Sequence, residues 1–239
     1  MKVLIITDIH ANLRALSAVL NRFDDVDAVW CLGDIVEIGP KPGSCIDLVR
    51  SVCRHVVKGN HDESFTEFVP NEAPVGWNGW ERPGVTEEQL DYLRALPQSC
   101  TASCDGRIYL LVHGSPENPL TGRLDPDTDE EVLTEALEQH VDGILCGHTH
   151  IAMIRPVGSK VVVNAGTVGQ PRDGDYRAQC MILEDGEFTY HLVPYDLDEL
   201  EQDYRQSELP RAVQDEWIQN TRSGIVSRHR LRKGPLSRT

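Results

Sequence analysis

The sequence predicts an α/β fold, on three observations. Short apolar runs rich in branched residues recur along the first 150 residues, and each ends in polar side chains. Between them lie stretches whose apolar residues repeat at helical spacing. Beyond residue 150 the pattern changes to strands joined by short turns. Strand, polar loop and helix in repetition describe an α/β arrangement, and the later half reads as a meander.

Residues 2–6 (Lys-Val-Leu-Ile-Ile) suit a central strand buried on both faces. Thr7-Asp8-Ile9-His10-Ala11-Asn12 ends it, and Leu13, Leu16, Leu20 and Phe23 mark one stripe of a helix. Residues 28–32 form a second strand, closed by Gly33-Asp34. Pro40, Pro42 and Gly43 punctuate a loop before a helix over 44–53, with Ile46, Val49 and Val52 at helical spacing. A third strand over 54–58 meets Gly59-Asn60-His61-Asp62-Glu63.

Residues 64–99, with Pro70, Pro74, Trp77, Trp80 and Pro83, read as a mostly helical insert that would shape access to a site or make a surface excursion. Within it, Thr86-Glu87-Glu88-Gln89 is a capping-box signature for a helix that ends at Pro97. Strands over 107–112 and 143–146 end in His113-Gly114-Ser115-Pro116 and Gly147-His148-Thr149-His150. Between them Thr128-Asp129-Glu130-Glu131, another capping-box signature, opens a helix through His140. Strands over 160–163, 179–183 and 189–193 complete the meander. From Asp196 the chain reads as helical, and the last dozen residues are expected to be disordered. The expected organisation is a single domain over 1–200 and a C-terminal extension with a basic tail over 201–239.

The totals narrow the function classes. A chain of 239 residues with 40% hydrophobic and 26% charged residues is of ordinary globular composition. No apolar run approaches the roughly 18 residues that span a bilayer, and Asp8 and His10 come too early for a signal peptide, so a cytoplasmic location is expected. Seven cysteines without a Cys-x-x-Cys pair point to reduced thiols. The net charge is −15, although residues 221–239 hold six basic side chains and no acid. An acidic body argues against long nucleic acid as partner. An acidic protein that handles anionic substrates needs cations to do so, and metal ions are the obvious source.

Five strands deliver polar residues straight after their apolar runs: Asp8-x-His10, Gly33-Asp34, Gly59-Asn60-His61-Asp62, His113 and Gly147-His148-Thr149-His150. In an open α/β sheet these ends lie along one edge. Taken singly, each has a bland reading: a helix cap, turn chemistry, a hydrogen-bonded loop histidine. Together they supply Asp, Asn and His donors suited to first-row ions such as Mn, Fe, Co, Ni or Zn. The donors are too many for one ion, and one carboxylate bridging two ions about 3.5–4 Å apart would use them. Arg172, after a glycine-rich turn, would meet a phosphate with its planar fork or pair with Asp173 or Asp175. Asn12 would hydrogen-bond substrate or cap the first helix.

On these motifs the chain resembles the calcineurin-like metallophosphoesterase superfamily over residues 3 to about 195. Asp-Ile-His-Ala-Asn, His113-Gly114-Ser115-Pro116 and the stretch Gly166-Thr167-Val168-Gly169-Gln170-Pro171-Arg172-Asp173 resemble its small bacterial and archaeal phosphodiesterase branch. The resemblance implies a four-layer αββα sandwich of two mixed β-sheets flanked by helices. It implies Asp8, His10, Asp34 and His150 on a first divalent ion, and Asp34, Asn60, His113 and His148 on a second. His61 would serve the leaving group, with Asp62 orienting its ring. The reaction implied is hydrolysis of a small phosphoester or nucleotide, dinucleoside polyphosphates included, by in-line attack of a hydroxide between the ions. A nuclease of the same chemistry and a non-catalytic protein-binding scaffold are the alternatives; self-association is left open.

Overall fold

The protein is described by a computed structural model over residues 1–67, 84–138 and 140–226. In chain order these residues form β1 (Val3–Ile6), α1 (Leu13–Arg22), β2 (Ala28–Cys31), α2 (Pro42–Val52), β3 (Cys53–Val56), α3 (Asn60–Glu67), α4 (Glu87–Ala95), β4 (Ser99–Cys104), β5 (Arg107–Val112), α5 (Glu130–Ala136), β6 (Gly143–Cys146), β7 (Met153–Val157), β8 (Lys160–Asn164), β9 (Ala178–Glu184), β10 (Glu187–Val193), α6 (Leu197–Gln206) and α7 (Arg211–Ser223). The central part of the expected insert, with Pro70 to Pro83, and the basic tail from 227 lie outside the described residues.

The strands make two five-stranded sheets, ordered β10-β9-β1-β2-β3 and β4-β5-β6-β8-β7. Each is mixed. β1, β2 and β3 run parallel, as do β5, β6 and β8, while β9, β10, β4 and β7 join antiparallel. Alternation along a strand sends successive side chains to opposite faces. Val3 and Ile5 therefore enter the core between the sheets, with Trp30, Tyr109, Leu111, Leu145 and Val163. Leu4 and Ile6 face the other way, against Leu16 and Val19 of α1 and Ile46 and Val49 of α2. The second sheet packs Leu110, Val112 and Ile144 on Leu133 of α5. The layers are thus helices, sheet, sheet, helix, the expected αββα sandwich. Residues of α6 and α7, Leu200, Tyr204, Trp217 and Ile218, share the core of α1 and α2. Among the described residues no helix is long and apolar enough to cross a membrane.

The single edge expected for the five motifs is corrected here: β1, β2 and β3 belong to one sheet, β5 and β6 to the other. Stacking brings the two sets of strand ends together, and the amide of His148 bonds across to Asp8 Oδ2 at 3.0 Å. Two strands go unread in the sequence. β4 carries alternating small and polar residues and turns into β5 at Asp105-Gly106. β7 contains Pro156, which an edge strand tolerates. The box at Thr86 forms in both halves. The box expected at Thr128 does not, because that hydroxyl accepts from the Asp125 amide at 2.9 Å and Asp129 becomes the cap.

Candidate metal centre

The loops at the strand ends hold unusual backbone. Ten non-glycine residues among those described have positive φ; Asp105 and Asp185 sit in hairpin turns, and the other eight are Asp8, His10, Ala11, Asp34, Glu37, Ile38, His148 and His150. Left-handed backbone costs energy for such residues and persists only where the surroundings enforce it. Here the enforcement is mutual hydrogen bonding between loops. The amides of Asp8 and His10 donate to the carbonyls of Gly33 and Asp34 at 3.0 and 2.9 Å, and the Gly147 amide donates to that of His113 at 2.9 Å. Close approach needs glycine at two points. A Cβ on Gly59 would lie 2.0 Å from Asp34 Oδ1, and one on Gly147 would lie 2.6 Å from Asp8 Oδ2.

Three overlapping groups of donors result: Asp8, His10 and His150; Asp34, His113 and His148; and His10, Asp34 and His61. Within each group the donor atoms lie within 4.8 Å of one another. Asn60 joins the second group, its Oδ1 2.9 Å from His148 Nδ1 and 3.2 Å from His113 Nε2. Asp34 stands between the groups, with Oδ2 3.2 Å from His113 Nε2 and 3.8 Å from His10 Nε2.

Hydrogen bonds outside the cluster decide which atoms face inward. His150 Nδ1 lies 2.7 Å from the Gln170 carbonyl, and His113 Nδ1 lies 2.8 Å from that of Leu32. A carbonyl only accepts, so Nδ1 carries a proton in each ring and Nε2 is the atom that faces the cluster. Asp8 Oδ2 accepts from Thr7 Oγ1 and the His148 amide, at 2.8 and 3.0 Å. Its Oδ1 has no hydrogen-bond partner and faces His150 Nε2 at 2.9 Å. Burial, with Arg172 beside it, lowers His150 to about 3, so this ring is neutral at pH 7. Two lone pairs meeting in a buried place repel unless a cation lies between them. That test, with the buried and unpartnered His10 Nδ1, shows that the residues fit a divalent ion. Burial lowers His148 to about 4, and it lowers His10 also. Burial opposes the charged form of His113 too, but the Asp34 carboxylate carries that ring up to about 10.

The partner of His61 differs from the expected one. His61 Nδ1 bonds to Glu37 Oε2, and Glu37 Oε1 accepts from Ser64 Oγ at 2.7 Å. Asp62 instead accepts from four backbone amides: Gly59 and Asp34 at 2.9 Å, Ile35 at 2.8 Å and Val36 at 3.3 Å. It sits in the first turn of α3 and fastens the Gly33–Val36 stretch, so it is spent on the backbone and cannot orient the ring. Sequence reasoning missed Glu37; its signal is an acid three residues beyond Asp34. Burial lowers the affinity of His61 for a proton, but Asp34 and Glu37 together raise it to about 9.

Asn12 is also corrected. Its Oδ1 accepts from the Ala15 amide at 3.1 Å, and its Nδ2 donates to Gly169 O and Tyr195 Oη, both at 3.3 Å. The cap reading wins because both ends of the amide are taken. Arg172 donates to Gln170 Oε1 at 2.7 Å and approaches His150 Nε2 at 3.3 Å. The acids offered as its alternative partners go elsewhere, Asp175 to Arg177 and Asp173 to Gln179.

The family model for the calcineurin-like phosphoesterase superfamily domain matches residues 1–186. An uncharacterized protein of Methanocaldococcus jannaschii is 31% identical, with 81% of this chain and 87% of that protein covered. Phosphodiesterase YfcE of Escherichia coli (strain K12) is 25% identical, with 77% and 89% covered. Among solved structures, a metallophosphoesterase from Sphaerobacter thermophilus is 31% identical with a TM-score of 0.80, covering 94% of this chain and 100% of that chain. A hypothetical protein from Pyrococcus horikoshii OT3 shares the fold at 19% identity, with a TM-score of 0.73 over 90% of this chain and 97% of the other.

Proposed function

The chain belongs to the calcineurin-like phosphoesterase superfamily and is a phosphoric ester hydrolase; on that premise we propose that it is a dinuclear metal-dependent phosphodiesterase acting on small or nucleotide substrates. The observation that carries the reading is the pair of lone pairs on Asp8 Oδ1 and His150 Nε2, 2.9 Å apart, beside a second group of Asp34, His113 and His148.

Asp8, His10, Asp34 and His150 would hold one divalent ion, and Asp34, Asn60, His113 and His148 the other. Mn, Fe, Co, Ni and Zn all suit this mixture of oxygen and imidazole nitrogen. Bound ions would lower the pKa of a water and offset negative charge on the phosphate. The remaining work falls to the protein. Asp34 sets the spacing of the two groups. His61, with Nδ1 engaged by Glu37, has Nε2 left for the substrate. Against burial, Asp34 and Glu37 raise its pKa in the metal-free protein, and the proton that Glu37 helps hold on the ring would go to the leaving oxygen. Glu37 positions that ring; Asp62 holds the loop that presents Asp34. Arg172 offers its guanidinium to the substrate phosphate.

A substrate panel after loading with each ion tests this: bis-aryl phosphodiester, aryl monophosphate, dinucleoside polyphosphates, cyclic nucleotides and single-stranded DNA. Diester hydrolysis that needs the ion is the expected result. No turnover of any phosphoester with any ion would refute the reading.

A further inference from the structure

Arg172 is half-buried, and among the described residues it makes no ion pair with a carboxylate. The acids nearest in sequence are taken, Asp173 by Gln179 and Asp175 by Arg177. A charge withdrawn from water is costly unless a partner meets it. The partner here is a neutral amide. Gln170 Oε1 accepts from Arg172 Nη2 at 2.7 Å and from Nε at 3.3 Å, so one oxygen takes a whole edge of the guanidinium. Nη2 also approaches His150 Nε2 at 3.3 Å. Nη1 has no hydrogen-bond partner among the described residues.

Gln170 is itself held firmly and is only 6% exposed. Its backbone amide donates to Thr167 Oγ1 at 3.0 Å, and that hydroxyl donates to the Asp8 carbonyl at 2.9 Å. Its backbone carbonyl accepts from His150 Nδ1 at 2.7 Å. One residue thus grips His150 through its main chain and Arg172 through its side chain. The neutrality of the amide matters. A carboxylate in that place would cancel the guanidinium charge, whereas an amide oxygen orients the group and leaves its charge for an anion. Fixing a long side chain before the anion arrives also removes an entropy cost from binding.

We infer that Gln170 is a positioning residue for anion binding: its side-chain oxygen aligns Arg172 while its backbone carbonyl aligns His150, so that the phosphate-binding and metal-binding groups keep one register. This rests on the phosphoesterase reading above, in which Arg172 meets the substrate phosphate.

The test is calorimetric titration of methylphosphonate, which resists hydrolysis, into Mn-loaded wild type, Q170M, R172M and the double variant. Met nearly fills the volume of Gln but offers no strong acceptor, and the backbone carbonyl that holds His150 remains. R172M should lose about 10-fold in affinity and Q170M about 5-fold. The double variant should bind within about twofold of R172M, because Gln170 acts through Arg172. Manganese content, read by elemental analysis, should be equal in all four proteins. Q170E keeps the shape of Gln and should lose about 10-fold or more, since its carboxylate claims the guanidinium; that arm decides the matter if Q170M does not fold. The assignment is overturned by undiminished affinity in Q170M, R172M or Q170E, by losses that add in full in the double variant, or by manganese missing from Q170M. Hydrolysis of bis-aryl phosphodiester by the same wild-type preparation reads the parent proposal separately. Turnover with unchanged phosphonate binding in the variants sinks the role of Gln170 alone. The expected losses without turnover of any ester sink the hydrolase reading and leave Gln170 as the residue that positions Arg172.

Discussion

In the proposed mechanism the chemistry turns on Asp34 and on the pair Glu37–His61. Asp34 belongs to the group of His113 and His148 and lies 3.8 Å from His10 of the other, so its loss should disturb both proposed ion positions. Asp34→Asn should lower kcat by more than the roughly 10–100-fold typical of a changed outer-sphere partner, and elemental analysis should find fewer than two ions retained. His61 is different, because its Nδ1 is engaged by Glu37. His61→Ala should keep both ions and lose about 100-fold or more in kcat, as the removal of a general acid does. Glu37→Gln should act through His61. Without that carboxylate the ring binds its proton less tightly, so the alkaline limb of the kcat profile should move to lower pH. An unmoved limb with reduced kcat would mean that Glu37 serves the fold alone.

Among the elements, the start of α1 separates two readings of one residue. Asn12 caps the helix through Oδ1 and ties it to Gly169 and Tyr195 through Nδ2. Asn12→Ala should cost about 1 kcal/mol in stability, read by urea denaturation of the metal-free protein, and leave KM within about twofold. A large rise in KM would restore the substrate role expected from sequence. α1 and α2 were legible because their apolar stripes are long and regular. β4 was not, since Ser99-Cys100-Thr101-Ala102-Ser103-Cys104 holds a single β-branched residue, Thr101, and no aromatic one, and its pairing with β5 supplies what propensity does not. The Thr128 box failed for a related reason: a hydroxyl with two backbone choices follows the turn it sits in.

For the whole molecule, the buried histidines make stability of the metal-free protein depend on pH in both directions. His148 and His150 are lowered to about 4 and 3, and His10 is lowered as well. The unfolded state therefore binds more protons below about pH 6.5, and stability should fall as pH drops from there toward 3. His61 and His113 are raised to about 9 and 10, so their contribution is complete below pH 6.5 and is lost as pH rises through those values. The melting temperature of chelated protein should peak near pH 6.5, and a featureless profile from 4 to 9 would contradict this reading of the cluster. What the sequence by itself determined is the donor set and its order along the chain, with the α/β character around it. Each donor sits next to a strand end, and that adjacency is covalent, so spacing reveals it. Tertiary structure alone decided that the strand ends come from two sheets, that Glu37 rather than Asp62 meets His61, and that Asn12 caps a helix. Those pairings join residues far apart in the chain through loops held in left-handed backbone. Local preference disfavours such conformations, and only the contacts made after folding sustain them.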